Sequence, residues 1–185
     1  MRLLTVPVMG LAVALGFATT VVGCRSGDVK PLARAEAVLE AKSGSKLTGR
    51  AVFTRIDAEW IHVRIDVAGV APGLHACHIH EKGDCSAADG SLAGGHWNPL
   101  GKKHGKWMQA DGEFHLGDLG VIEVGADGRG SLEMTTPLFD MGCGCPKDIV
   151  GKSVMIHEKA DDFTTQPTGA AGGRIGCGPI KAVVR

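Results

Sequence analysis

The chain has 185 residues, with twenty basic and twenty acidic side chains that cancel. That length suits one domain with a core of ordinary size, and the neutral balance gives no basic footprint for nucleic acid, so no nucleic-acid partner is expected. Twenty-eight glycines, five phenylalanines, three tryptophans and no tyrosine point to many tight turns around a core of Val, Ile, Leu and Ala.

The first two dozen residues differ from the rest. Arg2 precedes an uncharged apolar run over residues 3–22 that ends in Val21-Val22-Gly23-Cys24. The run is long enough for an uncleaved anchor, but its internal Gly and Pro and the small residues before Cys24 favour an export signal over residues 1–23. Its end resembles a bacterial lipobox, in which the cysteine is acylated and tethers the protein to a membrane. Residues 24–31 then read as a short polar tether, and residues 32–185 as the folded domain. Export places the domain in the periplasm or cell envelope, an oxidising compartment. Beyond Cys24 five cysteines remain, Cys77, Cys85, Cys143, Cys145 and Cys177, so at least one lacks a partner within the chain.

The domain reads as all-β. Residues 33–42 and 47–55 are candidate strands separated by Ser43-Gly44-Ser45. Ile61, Val63, Ile65 and Val67 alternate with His62, Arg64 and Asp66, the period of a half-buried strand. Residues 122–124, Asp127-Gly128 and residues 132–134 read as a hairpin. No window has a helical apolar stripe. About eight strands joined by Gly-rich turns imply a Greek-key antiparallel barrel or sandwich. Two strand-poor stretches, about 82–113 and 158–173, are long enough to be functional loops.

Six of the eight histidines fall into one spaced pattern: His78 and His80, then His96, His104, His115 and His157, with Asp118 three residues after His115. Residues two apart on a strand point the same way, so His78 and His80 can reach one ion. Three imidazoles and a carboxylate suit structural zinc, and a mostly imidazole set with an open position suits copper.

The motifs GLHACHIHEKGDC, GGHWNPLGKKHG, HLGDLG, VMIHEKADD and GGRIGCG, in this order, resemble the copper–zinc superoxide dismutase family over residues 32–185. The resemblance implies copper on His78, His80, His96 and His157, and zinc on His96, His104, His115 and Asp118, with His96 shared. It implies that Asp161 links the two sites and that Cys85 and Cys177 form a disulfide. Arg174 matches the arginine beside the open copper position, Thr168 a residue narrowing the substrate channel, and His75 a structural histidine. The implied activity is disproportionation of superoxide to oxygen and hydrogen peroxide by alternating Cu(II) and Cu(I), with Arg174 and His96 as catalytic groups. The alternative is a copper-binding or copper-delivery envelope protein on the same fold. A homodimer is left open.

Some residues depart from the family pattern. Cys77 stands where an apolar residue is usual and reads as a buried, inert thiol. Pro167 replaces a guiding lysine, which weakens expected steering. Met141, Cys143 and Cys145 form an extra Gly-rich segment expected to be exposed. It is either a local disulfide or a soft Cu(I) site that could include the Met141 thioether.

Overall fold

A computed structural model describes residues 32–184. The export signal over residues 1–23, Cys24 and the tether 24–31 lie outside the described residues. Among the described residues there are nine strands: β1 (Arg34–Ala41), β2 (Thr48–Arg55), β3 (Ile61–Ala68), β4 (Gly73–His80), β5 (Asp118–Val124), β6 (Arg129–Thr136), β7 (Ser153–His157), β8 (Arg174–Pro179) and the short β9 (Lys181–Ala182). The expected all-β architecture holds. The strands are antiparallel in the order β2-β3-β6-β5-β4-β7-β8-β1-β9, and β1 also pairs with β2, which closes the barrel. The jumps from β3 to β6 and from β4 to β7 are the Greek-key crossovers.

The barrel is flattened. Across β2 and β3 the ladder runs from Thr48↔Ala68 to Arg55↔Ile61. The β5–β6 seam holds only Glu123↔Ser131 and Val124↔Gly130, and the β1–β8 seam only Glu40↔Cys177 and Ala41↔Gly176. The hairpin expected at Asp127-Gly128 therefore exists but opens after two pairs. β6 continues along β3 from Ala68↔Arg129 to Ile61↔Thr136, while β5 follows β4. The molecule is effectively two four-stranded sheets that diverge from this turn.

Alternation fills the space between the sheets. Ile61, Val63, Ile65 and Val67 from β3 meet Leu39, Phe53, Ile79, Ile122 and Ile156, all buried in one cluster. Each such side chain removed from water contributes roughly 1.5–3 kcal/mol.

β4 and β7 differ from the other strands because both of their faces are covered. Cys77 and Ile79 point into the core, while His78 and His80 alternate to the outer face and are equally buried. The outer covering is the loop over residues 81–117 together with the loop over 158–173. Beneath the first loop, Ala93, Met155 and Cys177 form a separate apolar cluster with Cys85 packed against it. Register shifts between Cys77 and His78 and between Ile156 and His157 fall at the histidines themselves. Bulges of this kind re-aim the side chain that follows.

One sequence expectation fails. The Met141–Cys145 segment is not exposed throughout: Met141 is fully buried, packed in the main core. Period and turn chemistry mark this stretch as a surface loop, but Phe139, Met141 and Ile149 all turn inward and anchor it.

Candidate metal centre

The structure brings the expected residues together in two groups. In each, donor atoms from His78, His80, His96 and His157, or from His96, His104, His115 and Asp118, lie within 4.8 Å of one another, and every contributing residue is buried. β4 supplies His78 and His80, and β7 ends on His157. The long loop supplies His96, His104 and His115, and Asp118 opens β5. An isolated bridge between His80 and His96 ties the loop to the end of β4.

Hydrogen bonds fix which nitrogen each ring presents. His80 Nδ1 donates to the Gly94 carbonyl at 3.0 Å, and His157 Nδ1 to the Gly172 carbonyl at 3.4 Å. Each ring therefore carries its proton on Nδ1 and turns the Nε2 lone pair inward. Those two Nε2 atoms stand 3.4 Å apart. His78 Nε2 donates to Asp161 Oδ2 at 2.7 Å, which leaves its Nδ1 as the lone-pair atom. His78 Nδ1 and His96 Nε2 are buried with no hydrogen-bond partner. Converging, unpartnered lone pairs are costly in a dry interior, and a cation among them removes that cost.

The second group has the same logic. His104 Nε2 donates to Asp161 Oδ1 at 2.8 Å. Its Nδ1 lies 3.0 Å from Asp118 Oδ2 without hydrogen-bond geometry. His96 Nδ1 and His115 Nδ1 are 2.9 and 3.2 Å from Asp118 Oδ1. The carboxylate is held by the amides of Gly105 and His115, at 3.1 and 2.8 Å. The His96 ring thus presents one nitrogen to each group, and the Asp161 carboxylate spans His78 and His104. Oriented partners of this kind set tautomer and ligand basicity.

The protonation tendencies of His80, His96 and His157 agree with this. Burial pushes His96 down to about 4 despite the Asp118 carboxylate. Burial with the charges of His78 and His96 lowers His157 to about 3, and burial with its histidine neighbours lowers His80. All three favour the neutral form that binds metal. For His104 burial acts downward, but Asp118 and Asp161 outweigh it and hold the group up at about 9. Burial acts upward on Asp118, yet His104, His115 and His96 hold it well below the usual carboxylate range. This set of three nitrogen donors and one carboxylate oxygen fits zinc, and the four-imidazole set fits copper.

Arg174 is half-buried at the start of β8, and its guanidinium donates to the Gly90 and Gly94 carbonyls at 2.6 and 2.7 Å. It shares the Gly94 carbonyl with His80, so one carbonyl connects the cation to the copper-type group. Thr168 is exposed in the second loop. His75 is buried, with Nδ1 2.9 Å from the His157 carbonyl and Nε2 2.9 Å from that of Ala71, outside both groups. Cys77 is buried and free, and burial pushes its thiol up. His62 sits on the surface against Glu133.

Cys85 and Cys177 are joined, which fixes the long loop to β8. Closing 92 residues of chain contributes roughly 4.6 kcal/mol on entropic grounds. Cys143 and Cys145 are also bonded, so the oxidised pair offers no thiolate to copper, and the buried Met141 offers no thioether.

Residue identity alone did not mark several supporting groups: the carbonyls of Gly94 and Gly172, and Gln166. The Gln166 amide clamps the His104 backbone, accepting from its amide and donating to its carbonyl, both at 2.8 Å. Gly117 was visible only as a glycine in HLGD. A side chain there would meet the Ile79 carbonyl at 2.4 Å, so the loop can pass β4 closely only without one.

Comparison with known proteins agrees with this geometry. The profile described as copper/zinc superoxide dismutase (SODC) matches residues 47–180. The chain is 37% identical over 147 residues to a Cu-Zn superoxide dismutase of Deinococcus radiodurans, covering 75% of this chain and 79% of that protein. It is 35% identical over 144 residues to one of Caulobacter vibrioides, covering 76% and 82%. It is also 37% identical over 139 residues to the superoxide dismutase-like protein YojM of Bacillus subtilis, covering 73% and 70%. The crystal structure of the clock protein EA4 superposes with a TM-score of 0.73 at 32% identity, over 83% of this chain and 97% of that one. This chain belongs to the copper/zinc superoxide dismutase family. Copper and zinc are the metals that membership implies, and the two buried donor groups are suited to them.

Proposed function

We propose that the chain disproportionates superoxide to oxygen and hydrogen peroxide. Copper would be held by His78 Nδ1 and by Nε2 of His80, His96 and His157, and zinc by Nδ1 of His96, His104 and His115 with Asp118. Bound copper supplies reversible one-electron chemistry. The observation that carries the reading is the His96 ring, which presents Nε2 to one group and Nδ1 to the other.

The chain's own residues do the rest. Superoxide is a small anion, and the Arg174 cation, anchored on two loop carbonyls beside His80, gives it a fixed positive guide. Thr168 lies at the channel mouth in this reading. His96 Nε2 is the proton carrier in this reading: it is buried and free of protein partners, so a proton placed there is held by no other group and can pass to a reduced oxygen anion. Asp161 keeps His78 and His104 in their metal-facing tautomers.

The alternative is copper holding or delivery without turnover, for which the dismutase-like name of the Bacillus relative is the only support. The complete donor set together with Arg174 argues for turnover. The test is superoxide decay by the metal-loaded protein against its His157→Ala variant, with metal content measured in both. Activity should require copper and vanish in the variant. An inactive loaded wild type, or full decay by the variant, overturns the reading.

We further propose that the chain is exported and lipid-anchored in the cell envelope through Cys24, on the strength of the Val21–Cys24 sequence. Labelled fatty acid should enter the wild type and not Cys24→Ser, and equal labelling would refute the anchor.

A further inference from the structure

Among the described residues, two disulfides lie outside the metal groups, Cys85–Cys177 and Cys143–Cys145. Cys143 and Cys145 are bonded across a single glycine, at the tip of the loop between β6 and β7. We propose that this bond is a thiol–disulfide exchange site, a two-electron centre reduced by dithiols and independent of both the metal centre and the Cys85–Cys177 bond.

Access comes first, because exchange needs a thiolate to reach a sulfur in line with the bond. Cys143 is exposed, and Cys145 lines an open groove of about 400 Å³ whose charged lining is mixed, Arg55 and Lys147 with Glu59 and Asp140. Cys177, by contrast, is fully buried on β8, packed with Ala93 and Met155, and its half-buried partner Cys85 packs against the same cluster.

The bond also has no evident structural task. Asp148 accepts the amides of Gly142, Gly144 and Val150 at 2.9, 2.8 and 2.9 Å. Asp140 pairs with Arg55, and it bridges to Asp148. Phe139, Met141 and Ile149 root the loop in the core. These contacts hold the loop whether the sulfurs are joined or not. Constraining a one-residue gap removes little chain entropy, whereas Cys85–Cys177 closes 92 residues.

The geometry also assigns the leaving group. The Cys145 amide donates to Cys143 Sγ at 3.3 Å, a placed donor for a thiolate on Cys143. The incoming thiolate therefore attacks Cys145 Sγ from the groove. The Sγ–Sγ bond breaks and its electron pair leaves on Cys143, giving a mixed disulfide at Cys145. The second thiolate of the dithiol then attacks its own linked sulfur. That step releases Cys145 as thiolate and closes the reductant into a cyclic disulfide. Two electrons reach the loop, and two protons follow from the dithiol through water.

The test treats the metal-loaded protein with increasing dithiothreitol, blocks thiols with N-ethylmaleimide and maps the modified cysteines by mass spectrometry. Cys143 and Cys145 should be modified together at about tenfold lower dithiothreitol than Cys85 and Cys177, with one equivalent of oxidised dithiothreitol released per chain beyond that consumed by bound Cu(II). The Cys143→Ser, Cys145→Ser double variant should release one equivalent less of oxidised dithiothreitol per chain than the wild type at that concentration, since bound Cu(II) consumes the same amount of dithiol in both, and should keep the wild-type metal content and superoxide decay. Opening of Cys85–Cys177 at the same or lower concentration overturns the proposal. So does modification of Cys143 and Cys145 without reductant, or a double variant that loses metal or superoxide decay.

Discussion

Replacing Asp161 by Asn separates the two metal groups in a way that follows from counting acceptors. The carboxylate accepts from His78 Nε2 at 2.7 Å through Oδ2. Through Oδ1 it accepts from His104 Nε2 at 2.8 Å and from the Phe163 amide at 2.7 Å. An amide side chain has one oxygen and one NH₂. Keeping the oxygen at the Oδ1 position satisfies two donors and turns the NH₂ against the His78 N–H. The opposite orientation turns it against two donors, so the first prevails. His78 must then shift its proton to Nδ1, the atom that faces the copper-type group, or leave a buried donor opposed.

The lost charge-assisted hydrogen bond costs about 1.5–3 kcal/mol, which corresponds to the ten- to hundredfold loss of metal affinity typical of such supporting groups. Asp161→Asn should therefore weaken copper by about ten- to hundredfold and zinc by less than about tenfold. Asp161→Ala, which frees both imidazoles, should weaken both. Competition with chelators of known affinity, run separately for each metal, reads this directly. Unchanged copper affinity in Asp161→Asn, or a larger loss of zinc than of copper, would refute the reasoning.

Two further outcomes follow. Arg174→Glu should slow superoxide decay and reverse its salt dependence at unchanged metal content, whereas Arg174→Lys should keep the sign of that dependence, because screening acts on charge and not on the fork; decay rates across ionic strength check this, and a wild-type rate for the Glu variant at low salt would remove Arg174 from the encounter. The metal-free protein should lose stability between about pH 6.5 and 4.5, because His96 and His157 sit at about 4 and 3 when folded and near 6.5 when unfolded, so acid charges the unfolded chain first. His104, raised to about 9, contributes fully below pH 6.5 and does not offset the loss within that window. Urea midpoints across the range measure it, and a midpoint that rises on acidification contradicts the assignment.

The sequence made the donors legible because their chemistry is carried by side-chain type at strand spacing. His78 and His80 can only share a face if they share a strand, and Asp118 three residues after His115 closes back on the same point. What holds those donors was far less legible. His80 and His157 are oriented by the carbonyls of Gly94 and Gly172, and any residue supplies a carbonyl. Their placement depends on the path of two long loops, which no local period encodes. The open hairpin at Asp127-Gly128 was hidden for a related reason: turn residues specify that two strands reverse, not how far they stay paired. Met141 shows the same limit from the other side. Gly142 and Gly144 just after it mark it as loop, yet burial was decided by Phe139 and Ile149 packing around it.

Alternation along β4 explains why fold and site are coupled in this chain. Cys77 and Ile79 belong to the core, while His78 and His80 belong to the donors, and no residue between them could be inserted or removed without exchanging the two faces. The bulge after Cys77 lies at this boundary and re-aims His78 while the pairing with β7 runs on from Cys77↔Ile156 to His80↔Ser153. The donors are thus held by the same ladder that holds the core. Metal binding therefore needs to organise only the outer loops, where the Cys85–Cys177 bond and the Arg174 fork already limit the motion.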